Sequence, residues 1–127
     1  MQDEVIAVYE REEAISPLRD KLKKFSFEDL LKHPHFYYSL DEKGTDLQLI
    51  KEKFGDFDKI ELIMKRRHKN GQITYDFFYV LDESSYVIYA IALDEKTPIL
   101  LNSIYVQRSF KKFKQHLRRT YGAKFVN

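Results

Sequence analysis

The spacing of hydrophobic residues changes along the chain. Over residues 16–55 apolar side chains recur three or four positions apart, which indicates short amphipathic helices. Over 58–106 they form short, alternating or nearly continuous runs, which are typical of strands. Helical spacing then returns near the C-terminus. The pattern predicts an α+β domain spanning residues 1–127, in which short N-terminal helices pack on a three- to four-stranded antiparallel meander and a basic helix follows.

Turn and cap residues divide the N-terminal half into short segments. Ser16 and Pro17 predict the start of a helix, because serine caps helices and proline is tolerated at the first helical position. Gly55 suits a left-handed position that ends a helix. Residues 3–15 fit a helix or a strand, with the helix slightly favoured. The predicted segments are helices from residues 17, 26 and 45 onward, and an aromatic connection with a turn over 35–44.

Asn70-Gly71 predicts a β-hairpin between two strand-like runs. A two-residue loop sets a register in which Met64 faces Phe77 and Lys65 faces Asp76. One face of the hairpin then carries six apolar side chains and predicts a core. These side chains are Ile60, Leu62, Met64, Phe77, Tyr79 and Leu81.

Three further elements complete the second half. Residues 86–93 are nearly all apolar and predict a central strand that is covered on both faces, and 99–106 predict a fourth strand. Residues 108–121 predict a helix that ends at Gly122. Its apolar side consists of Phe110, Phe113, Leu117 and Tyr121.

The net charge of +2 conceals a strong asymmetry. All 20 acidic residues and 14 of the 22 basic ones precede Lys96, which gives the first part a net charge of −6. The eight basic residues from Lys96 onward have no acidic neighbour in sequence. Such a segment predicts contact with a polyanion or an acidic partner. The alternative is that these charges pair with the acidic N-terminal part of the same fold.

Composition excludes several kinds of chemistry. The chain has no cysteine, so it has neither disulfides nor a cysteine zinc site. It has four glycines and no glycine-rich phosphate loop, which argues against ATP or NAD chemistry. The four histidines do not predict a metal site, and no cofactor is expected. No apolar run approaches the ~18 residues of a membrane span, so no membrane contact and, by default, a cytoplasmic location are expected.

The basic residues fall in two places that could contact nucleic acid. One is the predicted helix 108–121, where positive charges could follow a phosphate backbone. The other is the end of the first hairpin strand. The predicted nucleic-acid-binding residues are Lys65, Arg67, Lys111, Lys112, Lys114, Arg118 and Arg119.

A candidate catalytic cluster lies at the same hairpin end. Alternation places Arg66 and His68 on the core-facing side beyond Met64, with Tyr75 opposite Arg66. A cation, an imidazole and a phenol could bind a phosphate and move a proton, as RNA cleavage at a 2′-hydroxyl requires. Arg108 is a second candidate for holding the phosphate. The alternative is a solubilising hairpin tip.

The order of elements resembles the barnase–EndoU–colicin–RelE group of small endoribonucleases, including forms carried by phages and other mobile elements. The likeness covers residues 17–121 and rests on pattern, with no diagnostic motif. It implies that active groups lie on the strand pair 65–68 and 74–79, and near Asn102-Ser103 and Arg108.

The sequence therefore favours an RNA-directed protein, and more sharply a metal-independent endoribonuclease of toxin type. In that hypothesis His68 is the general acid or base, and Arg66 and Arg108 hold the phosphate. Tyr75 or Tyr79 positions the base or the 2′-hydroxyl. One alternative is a non-catalytic binder of RNA or DNA that uses helix 108–121. Another is a protein–protein module, such as an antitoxin, an inhibitor or an assembly subunit, with a basic face that meets an acidic protein. For a toxin, an antitoxin is a possible protein partner.

Overall fold

One six-stranded sheet organises the fold. The computed structural model describes residues 3–126. In chain order its helices and strands are β1 (Glu4–Tyr9), α1 (Glu12–Leu22), β2 (Leu31–Lys32), α2 (Pro34–Lys43), α3 (Leu47–Phe54), β3 (Ile60–Arg67), β4 (Ile73–Asp82), β5 (Ser85–Ala92), β6 (Ile99–Val106) and α4 (Phe110–Tyr121). None of the helices in this part of the chain is long and apolar enough to cross a bilayer.

The strand order is β1-β3-β4-β5-β6-β2. Strands β3 to β6 form the antiparallel meander that the sequence predicts. Two more strands extend it. Strand β1, in a segment that fitted either a helix or a strand, pairs antiparallel with β3, and the two-residue β2, which was not predicted, pairs parallel with β6. The α+β class is confirmed. The sheet is mixed and has six strands, so the predicted count of three to four is wrong.

Both faces of the sheet are covered. One face packs against α1, α2 and α3 and contributes large buried residues such as Phe77, Tyr79 and Tyr89. The other face packs against α4 through Leu62, Phe78 and several rings. Strand β5, which the sequence predicts to be central and doubly covered, contributes to both cores. This confirms the interpretation of its continuous apolar run.

Two buried tyrosine hydroxyls attach α3 to the sheet. Tyr89 donates to the carbonyl of Ile50 at 2.6 Å, and Tyr79 donates to the carbonyl of Phe54 at 2.8 Å. Phe54 is the last residue of α3, so its carbonyl has no intrahelical partner and Tyr79 supplies one. The phenols therefore hold a short helix that would be marginal alone.

Several N-terminal predictions are wrong. Residues 4–9 form β1 rather than a helix, because the edge of β3 offers a strand to pair with. Pro17 lies inside α1, which begins at Glu12. Residues 34–43, predicted as an aromatic connection, form α2, which ends at Gly44 with φ 65°. The helix predicted from Ser26 is only a turn followed by β2.

The turn at Ser26 explains the error. Ser26 N–H donates to Asp29 Oδ2, and Asp29 N–H donates to Ser26 Oγ. This reciprocal pattern normally begins a helix, but here it stabilises one isolated turn. Helix α3 is confirmed, although its cap is Asp46 rather than Thr45. Gly55 follows it with φ −76°, not in the predicted left-handed conformation.

The hairpin is confirmed, but its register is shifted by one residue. His68 and Gln72 close a three-residue loop, with His68 N–H donating to the Gln72 carbonyl at 2.9 Å. Gly71 supplies the left-handed residue with φ 90°, as three-residue hairpin loops require. Met64 therefore pairs with Asp76 rather than Phe77. The single predicted core face is wrong, and its members divide between both faces.

We expect Gly71→Ala to lower the free energy of unfolding by about 1 kcal/mol, because a Cβ disfavours the left-handed conformation. Gly55→Ala is the matched control: its backbone is right-handed and nothing lies within 4 Å of the added Cβ. Urea denaturation measures both variants. Equal losses in the two would contradict the left-handed conformation of Gly71.

Candidate functional site: a polar groove beside the basic helix

Helix α4 begins at Phe110, two residues after the predicted start at 108, and ends at Tyr121 as predicted. Ser109 caps it by accepting from Lys112 N–H. The apolar stripe is confirmed: Phe110 and Leu117 are buried, and Phe113 and Tyr121 pack partly buried on the sheet. The helix leaves part of that sheet face uncovered.

A cavity of about 370 Å³ lies in the uncovered part, between the sheet and the His116 side of α4. Apolar rings and aliphatic groups line one part of it, and polar groups from β3, β4, β6 and α4 line the rest. We call this cavity the polar groove. It is defined by Arg66, Asp76, Ala90, Asn102, His116 and Tyr121.

Arg66 and Asp76 form an incompletely satisfied pair in the polar groove. Arg66 Nε lies 3.2 Å from Asp76 Oδ2 but is not aligned for a hydrogen bond. Within the described residues, Arg66 Nε and Asp76 Oδ1 are buried without a hydrogen-bond partner. A buried polar atom without a partner costs roughly 1–3 kcal/mol. Although these two atoms are themselves closed to solvent, the side chains that carry them line the cavity, and an unsatisfied buried group calls for an explanation.

Burial controls the protonation of Asp76, which is only 6% exposed. Desolvation raises the pKa of its carboxyl to about 6, while the charges of Arg66 and His68 offset part of the rise. Asp3 adds to the rise. A carboxylate with a pKa near 6 can accept and release a proton close to neutral pH, as a general base must.

His68 lies beside this pair with both ring nitrogens engaged. Nδ1 is 3.1 Å from Asp3 Oδ2, and Nε2 is 2.7 Å from Thr74 Oγ1. A carboxylate, an imidazole and a hydroxyl in this order resemble a nucleophile triad. Thr74 is only 1% exposed and, unlike Asp76, does not line the polar groove, so its hydroxyl is closed to a substrate there. The contacts instead fix the His68 ring near Asp76.

The four predicted catalytic residues do not all meet. Arg66 and His68 lie on the same face of the sheet as Met64, as predicted, and this is the face that packs against α4. Tyr75 lies on the opposite face, where its hydroxyl donates to Asp94 at 3.0 Å; burial, with that bond, raises its pKa. Arg108 lies near the start of α4, in a shallow surface pocket with Tyr86. The predicted opposition of Tyr75 and Arg66 is wrong, because Thr74 pairs with Arg66.

Sequence reasoning missed Asp76 and His116 as site residues. The one-residue error in register placed Asp76 opposite Lys65, whereas the true register gives Asp76 and Arg66 the same face. One signal was present: Asp76 is a carboxylate within the otherwise apolar run of β4. His116 gave no signal, because a single histidine on a basic helix is ordinary.

The predicted nucleic-acid residues separate into three groups. Lys65 and Arg67 alternate onto the face opposite α4, and Arg67 pairs with Glu4 at 3.1 Å. Lys114 and Arg118 both pair with Glu10. The exposed outer strip of α4 has no carboxylate within 4 Å in the described part of the chain. We define the outer strip as Lys111, Lys112 and Arg119.

The alternative of internal pairing is thus partly realised. Glu10 neutralises Lys114 and Arg118, and Lys111 lines a surface pocket with Glu61, Asp82 and Glu83. The three side chains of the outer strip are exposed and form no ion pair within 4 Å among the described residues. In residues 3–126 no three or more His, Asp or Glu side chains form a group that could hold a metal ion. The polar groove therefore offers acid–base groups and cations, not a ligand cluster.

We expect Asp76→Asn to raise the free energy of unfolding, relative to wild type, by more at pH 7.5 than at pH 4.5. The folded state keeps the Asp76 proton up to about pH 6, whereas an unperturbed aspartate has a pKa of 3.8. Stability from this group is therefore lost as pH rises through that window. The stability difference between variant and wild type should grow by about 2 kcal/mol between the two pH values.

Urea denaturation at the two pH values measures this change. Asp41→Asn, at an exposed position on α2, is the control and should show no such difference between the two pH values. A pH-independent effect of Asp76→Asn would mean that the carboxylate is not protonated in the folded state at pH 4.5.

Comparison with known proteins adds no relative. No protein-family model matches the chain. Neither a curated protein nor a solved structure matches it. The likeness of residues 17–121 to small endoribonucleases stays a prediction from the order of elements.

Proposed function

We propose that the protein acts on RNA and that the polar groove cleaves the strand at a phosphodiester bond. The observation that carries the proposal is the Arg66–Asp76 pair, in which two buried atoms lack hydrogen-bond partners among the described residues. Both side chains line the same cavity as His116 of α4. RNA cleavage needs a base, an acid and a cation near the phosphate. The groove contains all three.

The chemistry is a transesterification. Asp76 accepts the proton of the 2′-hydroxyl, and the 2′-oxygen forms a bond to phosphorus. The bond from phosphorus to the 5′-oxygen breaks, and the leaving oxygen takes a proton from His116. The products are a 2′,3′-cyclic phosphate and a 5′-hydroxyl. Arg66 offsets the charge that develops on the phosphate oxygens.

Two features favour RNA over DNA. A carboxylate base has a proton to remove only when a 2′-hydroxyl is present. Asp76 is also almost fully buried at the wall of a groove, a position that a flexible single strand reaches more easily than a duplex does. The His68 ring is held by Asp3 and Thr74 and does not contact the substrate. Its role is to lower the pKa of the nearby Asp76 carboxyl.

The alternative of a non-catalytic binder also has a specific observation in its favour. The outer strip is exposed and lacks ion partners among residues 3–126, so it can follow a phosphate backbone without any chemistry in the groove. A protein partner with an acidic face, such as an inhibitor, would meet the same strip. The two tests below separate binding from cleavage.

For cleavage, we expect Asp76→Asn and His116→Gln each to lower the rate on a single-stranded RNA oligonucleotide at least 100-fold. Tyr75→Phe is the control, since Tyr75 lies on the other face of the sheet, and it should keep full activity. Gel analysis with a chelator present detects the cyclic phosphate product, and the matching DNA oligonucleotide should stay intact. Cleavage that survives Asp76→Asn, or a wild type that cleaves no RNA, would refute the catalytic assignment.

For binding, we expect the triple change Lys111→Ala, Lys112→Ala and Arg119→Ala to reduce the salt dependence of RNA affinity. Three lost phosphate contacts should lower the slope of log affinity against log salt by about 2 for a single strand. Fluorescence anisotropy at several salt concentrations measures the slope.

The matched control removes three exposed lysines from the opposite layer, as Lys23→Ala, Lys24→Ala and Lys51→Ala. It changes the net charge equally and should leave the slope almost unaltered. If both triple variants reduce the slope of log affinity against log salt equally, binding follows overall charge and the outer strip is not the contact surface.

A further inference from the structure

The floor of the polar groove is a row of three residues on adjacent strands. Asp76 pairs with Ala90, and Ala90 pairs with Asn102. Because neighbouring strands lie about 4.8 Å apart, the backbones of the two polar residues stand about 10 Å apart. Ala90 between them carries only a methyl group, and this leaves open the space that a larger side chain would fill.

The amide of Asn102 has a fixed orientation. Its Oδ1 accepts from Ser103 N–H at 2.8 Å. A backbone N–H can only donate, so the atom facing it must be the oxygen and not the nitrogen. The NH₂ group is the remaining polar end of a side chain that lines the groove. Asn102 therefore offers this cavity hydrogen-bond donors.

The wall beside the floor is apolar and aromatic. Phe78 and Ile88 form the next row along β4 and β5. Phe113 from α4 stacks on Phe78, with ring centroids 5.5 Å apart and an interplanar angle of 29°. These groups line the same cavity as Asn102. A flat ring that enters the groove would meet apolar surface on its faces and polar groups at its edges.

We propose that the groove contains a subsite for one unstacked nucleobase, which lies over Ala90 and presents a carbonyl edge to the Asn102 amide. The inference rests on the proposed function, because the base would belong to the nucleotide next to the cleaved phosphate. It adds a preference that the cleavage chemistry does not require. The small side chain of Ala90 leaves room for the base, and the Asn102 amide determines which base binds.

The donor character of Asn102 sets the selectivity. Uridine and guanosine carry a carbonyl where cytidine and adenosine carry an amino group. An NH₂ donor bonds the carbonyl but leaves the amino group without a partner. We expect uridine to bind roughly tenfold more tightly than cytidine, and guanosine than adenosine.

The test uses free nucleosides, which lack phosphate and so need neither Arg66 nor the outer strip. Backbone amide shifts in NMR titrations give the affinities. Uridine should shift the signals of Ala90 and Asn102 more strongly than cytidine does at equal concentration. Asn102→Asp keeps the acceptor for Ser103 N–H but replaces the donor by an oxygen, and it should reverse the order to favour cytidine.

Two control variants separate the subsite from general effects. Ala90→Leu should abolish nucleoside binding by filling the floor, whereas Ala123→Leu, at an exposed position after α4, should not. Asn70→Asp in the hairpin loop makes the same charge change as Asn102→Asp and should leave the order of affinities intact.

The proposal is overturned if nucleosides shift no groove amide, or if Asn102→Asp binds the four nucleosides in the wild-type order. Its failure is distinct from that of the proposed function. RNA cleavage that depends on Asp76, without nucleoside binding, removes the subsite alone. Selective nucleoside binding without cleavage keeps the subsite and removes the catalytic assignment.

Discussion

The packing of α4 on the second face of the sheet is the interaction on which the site depends. Phe110 and Phe113 contact Phe78 and Tyr86 with ring centroids 5.4 to 5.8 Å apart. Aromatic pairs at such distances add to the free energy gained by burial. The contacts hold the helix over one part of the face. They also make its flank the wall of the polar groove.

The face of the sheet beside α4 carries a charged pair with a buried carboxylate. A buried ion pair gains little net stability, since the desolvation cost offsets the attraction. Arg66 and Asp76 are not even well aligned, so stability alone does not account for them. Groups that are costly to keep and open to a cavity are typical of functional sites. The raised pKa of Asp76 follows from the same burial.

The structural features that depend on the local spacing of apolar residues were predicted best from the sequence. The strands of the meander and the apolar stripe of α4 follow from periodicity, and both are confirmed. It failed where tertiary pairing overrides local preference. Strand β1 exists because β3 has a free edge, and β2 because β6 has one. Nothing within either segment distinguishes a strand of that length from a turn or a helix.

One residue in the hairpin loop decided how much of the site could be predicted. Asn-Gly fits two-residue and three-residue loops alike, because Gly71 can supply the left-handed conformation in either. A shift of one residue exchanges the two faces of a strand. The predicted two-residue loop placed Tyr75 opposite Arg66. The observed three-residue loop places Asp76 on the same face as Arg66 instead. Asp76, the candidate general base, was therefore missed because the loop length was predicted wrongly. A carboxylate within an apolar strand is itself a recognisable signal.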